Sequence, residues 1–191
     1  MRHDRAWARK NRFSSRGFTL IELMIAVGLT ALLLGLAVPA LDMFTTNARQ
    51  TGAINDFVAS MHIARSTAVT TNFRTTVCAS ASGVTCEPVD WDQGWIVFND
   101  RDSDQVVDND ENIVASSGGI DGLSIQSGEF GQFLMYRPNG RVMTTSAAGN
   151  SGQFTVCDNR GSDHAKVLIV DLSGRPRLSR QLADGSSPSC S

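Results

Sequence analysis

The chain has 191 residues, enough for about one domain with a flanking segment, and 41% of its residues are hydrophobic. Its formal net charge of −2 is the sum of two unlike parts, because residues 1–17 carry six basic residues and one acidic residue, whereas the remainder carries 11 basic and 18 acidic residues. The acidic remainder excludes binding of a polyanion through overall charge, so a nucleic-acid site would have to be a local basic patch.

Residues 1–17 form the basic part, and we predict that they are a removable leader that takes no part in the fold. A basic flank before an apolar span stays on the cytoplasmic side of the membrane. We therefore expect the residues after the span to lie outside the inner membrane.

The segment from Leu23 to Leu41 has 19 residues without a charge, which is long enough for a helix across a bilayer. Glu22 lies at its beginning, where a carboxylate in hydrocarbon is costly without a partner. An ordinary secretory signal cleaved after Ala40 is the alternative, but the uncharged run exceeds a signal core of about 7–15 residues. We predict that residues 18–41 are the transmembrane half of a long N-terminal helix.

The stretch Gly17-Phe18-Thr19-Leu20-Ile21-Glu22 resembles the class III leader of type IV pilins and pseudopilins. The resemblance implies that a prepilin peptidase cleaves between Gly17 and Phe18 and that Phe18 is then N-methylated. It implies that Glu22 pairs with the N-terminal amine of a neighbouring subunit, and that Pro39 lies where pilins often kink their helix. It also implies a single-pass inner-membrane protein with a periplasmic head, assembled with other pilins or pseudopilins into a pilus or pseudopilus.

Residues 42–72 are predicted to continue the helix as its soluble half, because apolar residues recur there at helical spacing. Such a helix packs its apolar face on a sheet, and we expect it to end between Thr70 and Asn72. Residues 64–68 resemble the end of this helix in the GspH/FimT branch of the pilin-like family. The residues that recur at helical spacing in this half of the helix are Ile54, Phe57, Val58, Met61, Ala64, Arg65 and Ala68.

Residues 73–191 are predicted to form a β-rich head, so that the fold class is α+β, with a long helix packed on sheets as in type IV pilins. The stretch Trp91–Phe98 resembles the GspH/FimT branch, and we expect its two tryptophans to pack in the core. The predicted strands are Phe73–Cys78, Gly94–Asn99, Leu123–Gln126, Gln132–Arg137, Gln153–Cys157 and Lys166–Leu172.

The four cysteines all follow the helix, and neither a CxxC spacing nor a histidine cluster suggests a zinc site. In an exported head they are expected to form disulfides, with three possible connectivities. We favour Cys78–Cys86, which closes a short hairpin loop, and Cys157–Cys190, which holds a Ser/Pro/Gly-rich tail.

An acidic loop follows the strand that begins at Gly94. Its acids occupy positions 1, 3, 5, 9 and 12 of a calcium loop, with the Val106 carbonyl at position 7. Gln105 stands where such a loop has glycine, and the residues before the loop predict a strand and not a helix. A calcium site and a solvated acidic hairpin tip therefore both remain open, and we expect no other cofactor. The candidate ligands are Asp100, Asp102, Asp104, Asp108 and Glu111.

A basic hairpin lies near the C-terminus, with a predicted tight turn at Ser173-Gly174 and an edge strand after it, because Pro176 lacks an N–H. Residues 160–180 hold five basic and two acidic residues on an otherwise acidic protein. Such a patch could attract a polyanion, or it could be an ordinary solvated surface. The candidate DNA-binding residues are Lys166, Gly174, Arg175, Arg177 and Arg180.

Residues 174–177 resemble the Gly-Arg-x-Arg motif of FimT-type minor pilins, which implies capture of extracellular DNA during natural transformation. Two alternatives share every other feature: the H-type pseudopilin of type II secretion, and a structural tip or priming pilin without DNA binding. We expect no enzyme, because the sequence contains neither a phosphate loop nor a nucleophile with a nearby base.

Overall fold

The computed structural model describes residues 17–143 and 151–190, which divide into two compact units, residues 1–44 and 45–191. Helix α1 spans Leu20–Thr71, so it ends where the sequence predicted. Short 3-10 helices lie at Trp91–Gln93 and Ser162–His164. The strands are β1 (Arg74–Ala79), β2 (Gly94–Asp100), β3 (Ile113–Gly118), β4 (Leu123–Gln126), β5 (Phe133–Tyr136), β6 (Val142–Met143), β7 (Gly152–Asp158), β8 (Lys166–Val170) and β9 (Pro176–Ser179).

In the first unit, α1 begins with a capping box formed by Thr19 and Glu22. The backbone N–H of Glu22 donates to the Thr19 hydroxyl at 3.3 Å, and the backbone N–H of Thr19 donates to Glu22 Oε2 at 3.4 Å. Residues 1–16 of the predicted leader lie outside the described residues. Within the described part of the chain, no helix has both the length and the apolar character needed to cross a membrane.

In the second unit, the strands form two antiparallel sheets, in the orders β3-β2-β1-β5-β6 and β4-β7-β8-β9. The apolar stripe of α1 packs against their inner faces through Phe57, Met61 and Ala64, all fully buried. Phe57 contacts the rings of Trp95 and Phe154 with centroids 4.8 and 4.9 Å apart. The prediction that the amphipathic half of the helix packs on a sheet is confirmed.

Both predicted core tryptophans are buried, and each indole N–H has a partner. Trp95 Nε1 donates to the Ser60 hydroxyl at 2.9 Å, and Trp91 Nε1 donates to the Gly131 carbonyl at 2.6 Å. A buried indole N–H without an acceptor would be costly, so these two bonds fix how the rings sit beneath the helix.

All six predicted strands are present, with ends shifted by at most two residues. Strand β8 ends at Val170 and not at Leu172, because Asp171 begins the following turn. The sequence missed β3 and β6. Strand β3 is a sheet edge and largely exposed, so it shows no hydrophobic alternation, and β6 has only two residues. Strand β9 lies at an edge, as Pro176 predicted.

The structure pairs Cys78 with Cys86 and Cys157 with Cys190, the connectivity that the sequence favoured. The first disulfide lies at the end of β1, against Ile96 and Phe98. The second joins β7 to the C-terminal tail, whose Cys190 N–H also donates to the Ser162 hydroxyl at 3.0 Å.

Candidate nucleic-acid interface

The β8–β9 hairpin carries the predicted basic motif at the edge of the second sheet. Its register places Arg177 opposite Ile169 and Leu178 opposite Leu168. Directly opposed residues of an antiparallel pair share a face, and Leu168 belongs to the core beneath α1. Arg177 therefore lies on the other face of the sheet, and the structure shows it exposed, as it does Arg175.

The turn of this hairpin is held by Asp171. Its carboxylate accepts the Ser173 N–H at 2.9 Å, and its carbonyl accepts the Gly174 N–H at 2.9 Å. The hydrogen bond from the Ser173 hydroxyl lowers the pKa of Asp171 most, with smaller contributions from the Arg175 backbone N–H and guanidinium. Arg175 thus follows a rigid, ionised turn.

Gly174 is buried at the end of the turn and packs against a second turn, at Gly140 between β5 and β6. Its φ is +72°, and a Cβ added there would overlap the Gly140 carbonyl and lie 2.8 Å from Tyr136 Cε1. The Tyr136 hydroxyl donates to the Gly174 carbonyl at 3.2 Å, and burial raises the pKa of Tyr136. Arg65 Nε on α1 donates to the Gly140 carbonyl at 3.0 Å.

This packing brings further arginines to the motif, which the sequence did not predict. Arg137 and Arg141 flank the Gly140 turn, where the Arg137 N–H donates to the Arg141 carbonyl at 2.9 Å. Arg141 is exposed, and the buried Nε of Arg137 has no hydrogen-bond partner. We call Arg65, Arg137, Arg141, Arg175 and Arg177 the arginine patch.

Two other predicted residues, Lys166 and Arg180, lie at the far end of the hairpin. Val167 pairs with Ser179 as the last pair of β8 and β9. Lys166 and Arg180 are the next residues on the two chains and lie opposite each other. An extended chain rises about 3.3 Å per residue, so Arg180 lies about 16 Å from Arg175 along the strand. Lys166 is half-buried and Arg180 is exposed, but in register both fall on the face of Leu168, opposite to Arg177, so they do not extend the arginine patch.

Arg160, which contributed to the local positive charge of the sequence, is engaged elsewhere. Its guanidinium pairs with Asp158, and its Nη1 donates to Asn47 on α1 at 2.8 Å. The hydrogen bonds from Arg160 lower the pKa of the buried Asp158 carboxyl. Arg160 therefore joins a strand to the helix and is not part of the surface patch.

The acidic loop between β2 and β3 is a separate cluster. The structure brings Asp100, Asp102 and Asp104 together, but it leaves the other two candidates out of this group. The Glu111 carboxylate accepts the backbone N–H groups of Arg101 at 2.6 Å and Asp108 at 3.3 Å. Glu111 therefore closes the loop and does not occupy the ligand position that the sequence assigned to it.

The residues assigned to leader processing are accessible in the described part of the chain. Gly17 and Phe18 precede the helix, and Phe18 is 86% exposed. Glu22 is exposed in the first turn, where its carboxylate caps the chain's own helix.

The sequence matches two known families. Residues 53–174, more than half of the chain, match the family of the type II transport protein GspH. Residues 12–38 match the prokaryotic N-terminal methylation motif. No curated protein matches the chain significantly.

Solved structures share the architecture. The type IV minor pilin FimU of Pseudomonas aeruginosa is 22% identical with a TM-score of 0.54, over 78% of this chain and 99% of that chain. FimU in a second crystal form is 21% identical with a TM-score of 0.51, over 74% of this chain and 99% of that chain. The minor pseudopilin EpsH of the Vibrio cholerae type 2 secretion system is 12% identical with a TM-score of 0.47, over 69% of this chain and 96% of that chain. At these identities, the similarity to FimU shows the fold alone.

Proposed function

The chain belongs to the family of the type II transport protein GspH and is a minor pilin or pseudopilin with a type IV pilin fold; from this premise we propose that it is a FimT-like pilus subunit that captures extracellular DNA for natural transformation. The observation that carries the proposal is the pair of exposed arginines, Arg175 and Arg177, behind a rigid turn of an otherwise acidic protein.

Phosphate binding is the chemistry that this surface favours. A guanidinium grips phosphate oxygens as a planar fork and stays charged at every physiological pH. Arg141 adds a third exposed guanidinium beside the turn, and Asp171, the acid on that turn, is already bonded to Ser173. Contacts of this kind follow the DNA backbone, so we expect binding without sequence preference, with dissociation constants of about 10⁻⁴–10⁻⁶ M at physiological salt.

Assembly into a filament completes the proposal. We infer that prepilin peptidase cleaves after Gly17, that Phe18 is methylated, and that residues 18–41 anchor the subunit in the inner membrane with its head in the periplasm. The described residues contain no helix that meets the requirements for a membrane span. The anchor is therefore proposed from the sequence, on the uncharged run from Leu23 to Leu41 and the match to the methylation motif. Glu22 would then exchange its capping role for the amine of a neighbouring subunit.

The test is a DNA titration with residues 45–191, which form a compact unit with their own core. Labelled duplex is titrated by fluorescence anisotropy at several salt concentrations, with wild type and with Arg175→Gln plus Arg177→Gln. We expect the wild type to bind with a log–log salt slope of about −2 to −3, as for two or three phosphates. The double variant should bind at least tenfold more weakly.

The matched control is Arg49→Gln plus Arg101→Gln, which removes two exposed positive charges away from the patch. Equal weakening by both double variants would show that overall charge decides the affinity, and would contradict a specific patch. Arg141→Gln alone should reduce the magnitude of the salt slope by about one, because one phosphate contact is lost.

The family description keeps one alternative open, a pseudopilin of type II secretion. If wild type fails to bind duplex even at low salt, the hairpin is only a charged surface. The protein is then such a pseudopilin or a structural tip or priming pilin.

A further inference from the structure

We propose that the loop between β2 and β3 binds one calcium ion through the carboxylates of Asp100, Asp102 and Asp104. One oxygen from each lies within 4.8 Å of the others. Calcium holds oxygens at 2.3–2.6 Å, so ligands on opposite sides of the ion are about 5 Å apart. The three side chains are therefore close enough to contact a single ion.

The environment of Asp100 is the strongest support for a cation at this loop. It is fully buried at the end of β2, where its Oδ2 accepts the Thr76 hydroxyl at 2.6 Å. Its Oδ1 is buried without a hydrogen-bond partner, although the Ser103 N–H lies near the carboxylate. A buried carboxylate oxygen without a donor is costly, and a cation bound beside it would remove that cost.

Asp102 and Asp104 are exposed and already oriented. Asp102 Oδ1 accepts the Asp104 N–H at 3.3 Å, and Asp104 Oδ1 accepts the Val106 N–H at 2.8 Å. Each carboxylate keeps its second oxygen for a ligand. The residues between and after them, Ser103 and Gln105, have φ values of +71° and +68°, which turn the chain so that alternate acids meet.

Arg101 is the one basic residue in the loop between β2 and β3, and its guanidinium contacts an aromatic ring instead of the acids. The ion pair between Arg160 and Asp158 lies elsewhere in the head. Arg101 lies over the Phe73 ring, 5.1 Å from its centroid.

The ligand set favours calcium over magnesium. Calcium accepts six to eight oxygens in flexible geometry, so three carboxylates on an open loop can be completed by water or loop carbonyls. Magnesium requires near-ideal octahedral geometry at 2.0–2.1 Å and keeps most of its water. Sites with few protein ligands on extracellular modules have dissociation constants of about 10⁻⁴–10⁻³ M.

The experiment uses the full chain in detergent micelles, stripped with EDTA and then freed of the chelator. CaCl₂ and, separately, MgCl₂ are titrated by calorimetry, and thermal unfolding is followed with and without about 10 mM calcium. We expect calcium to bind with a dissociation constant of about 10⁻⁴–10⁻³ M. For a constant near 1 mM, calcium should raise the Tm by about 3–6 °C.

The loop variant is Asp102→Asn plus Asp104→Asn, which changes exposed side chains only. It should weaken calcium binding at least tenfold and lose the Tm shift, with an unchanged circular dichroism spectrum. The control, Asp56→Asn plus Asp121→Asn, removes the same charge from exposed acids outside the loop and should bind as wild type does.

Three results would overturn the site: no heat and no Tm shift for wild type at about 10 mM calcium, equal binding by the loop variant, or equal loss in the control. Magnesium binding as tight as calcium would overturn the assignment of the metal. None of these readouts involves DNA, so the calcium site and DNA capture can fail independently.

Discussion

At the scale of single residues, Gly174 decides whether the arginine patch can form. Its positive φ disfavours any residue with a Cβ, and the Gly140 carbonyl occupies the space that a Cβ would need. The effect of the positive φ can be separated from the effect of the close contact. Gly161 also has a positive φ, +85°, but nothing lies within 4 Å of an added Cβ there. The motif therefore contains glycine for packing as well as for backbone conformation.

We predict that Gly174→Ala lowers the free energy of unfolding by about 3 kcal/mol or more, since it adds a steric clash to left-handed strain of about 1–2 kcal/mol. Gly161→Ala, the control, should lose only the strain. Urea denaturation of both variants and wild type measures the difference. If the two substitutions have equal effects, the contact between the Gly174 and Gly140 turns does not contribute to stability.

At the scale of elements, the β8–β9 hairpin could be predicted from the sequence, whereas the residues that pack beside it could not. The apolar run from Val167 to Val170, the Ser173-Gly174 turn and Pro176 are local signals, and each predicted β8, the turn or the β9 edge. Arg65 and Arg141 reach the same surface from a helix and another hairpin, through contacts between residues 34 or more positions apart. No local pattern encodes such a contact.

The acidic loop shows the same limit. Alternation of acids predicted that Asp100, Asp102 and Asp104 could converge, and the structure brings them together. It could not predict that Glu111 bonds to backbone N–H groups, because that depends on how the loop folds back on β2.

Another contact between elements joins the end of β7 to the helix, through Asp158, Arg160 and Asn47. Because the Arg160 hydrogen bonds lower the pKa of Asp158, the folded state holds this carboxylate ionised below the ordinary value of 3.8. Its contribution to stability is therefore complete well above pH 3.8 and is lost as the pH falls through the lowered folded-state value.

We predict that Asp158→Asn lowers the free energy of unfolding by about 1–3 kcal/mol at pH 7, and that the difference from wild type shrinks below about pH 4. Urea denaturation at pH 7, 5 and 3 measures both effects. Asp184→Asn is the control, because the pKa of Asp184 is also lowered but the residue is exposed in the tail. A difference that stays constant down to pH 3 would rule out the ionised pair as its cause.

At the scale of the whole molecule, charge and hydrophobicity divide the chain in the order in which it would be processed. The basic residues 1–17 come first, the uncharged run follows, and the acidic head comes last. Composition predicted this division, whereas the α+β class was predicted from the helical spacing of residues 42–72 and the strand and turn patterns after them. The partition of the strands between two sheets was not predictable, since it depends on pairings such as β1 with β5 across the chain.

Gly17 is the last residue before the predicted cleavage site. A side chain added there meets nothing within 4 Å, and the residue precedes the capping box of α1, so Gly17→Leu should leave the fold of the chain unchanged. Any loss of cleavage would then report recognition by the peptidase. We expect wild type coexpressed with prepilin peptidase to lose residues 1–17 and gain one methyl group, by intact-mass measurement, whereas Gly17→Leu keeps its full length.

The control is Gly128→Leu, the same substitution at another open position, which should be processed as wild type is. Cleavage leaves a new amine at Phe18, close to the positive end of the helix dipole, and the Glu22 carboxylate in the first turn offsets that charge. Because we propose that this carboxylate pairs with the amine of a neighbouring subunit, Glu22→Gln should be cleaved normally and yet assemble poorly into filaments. Normal assembly of Glu22→Gln would mean that the carboxylate caps its own helix and has no role between subunits.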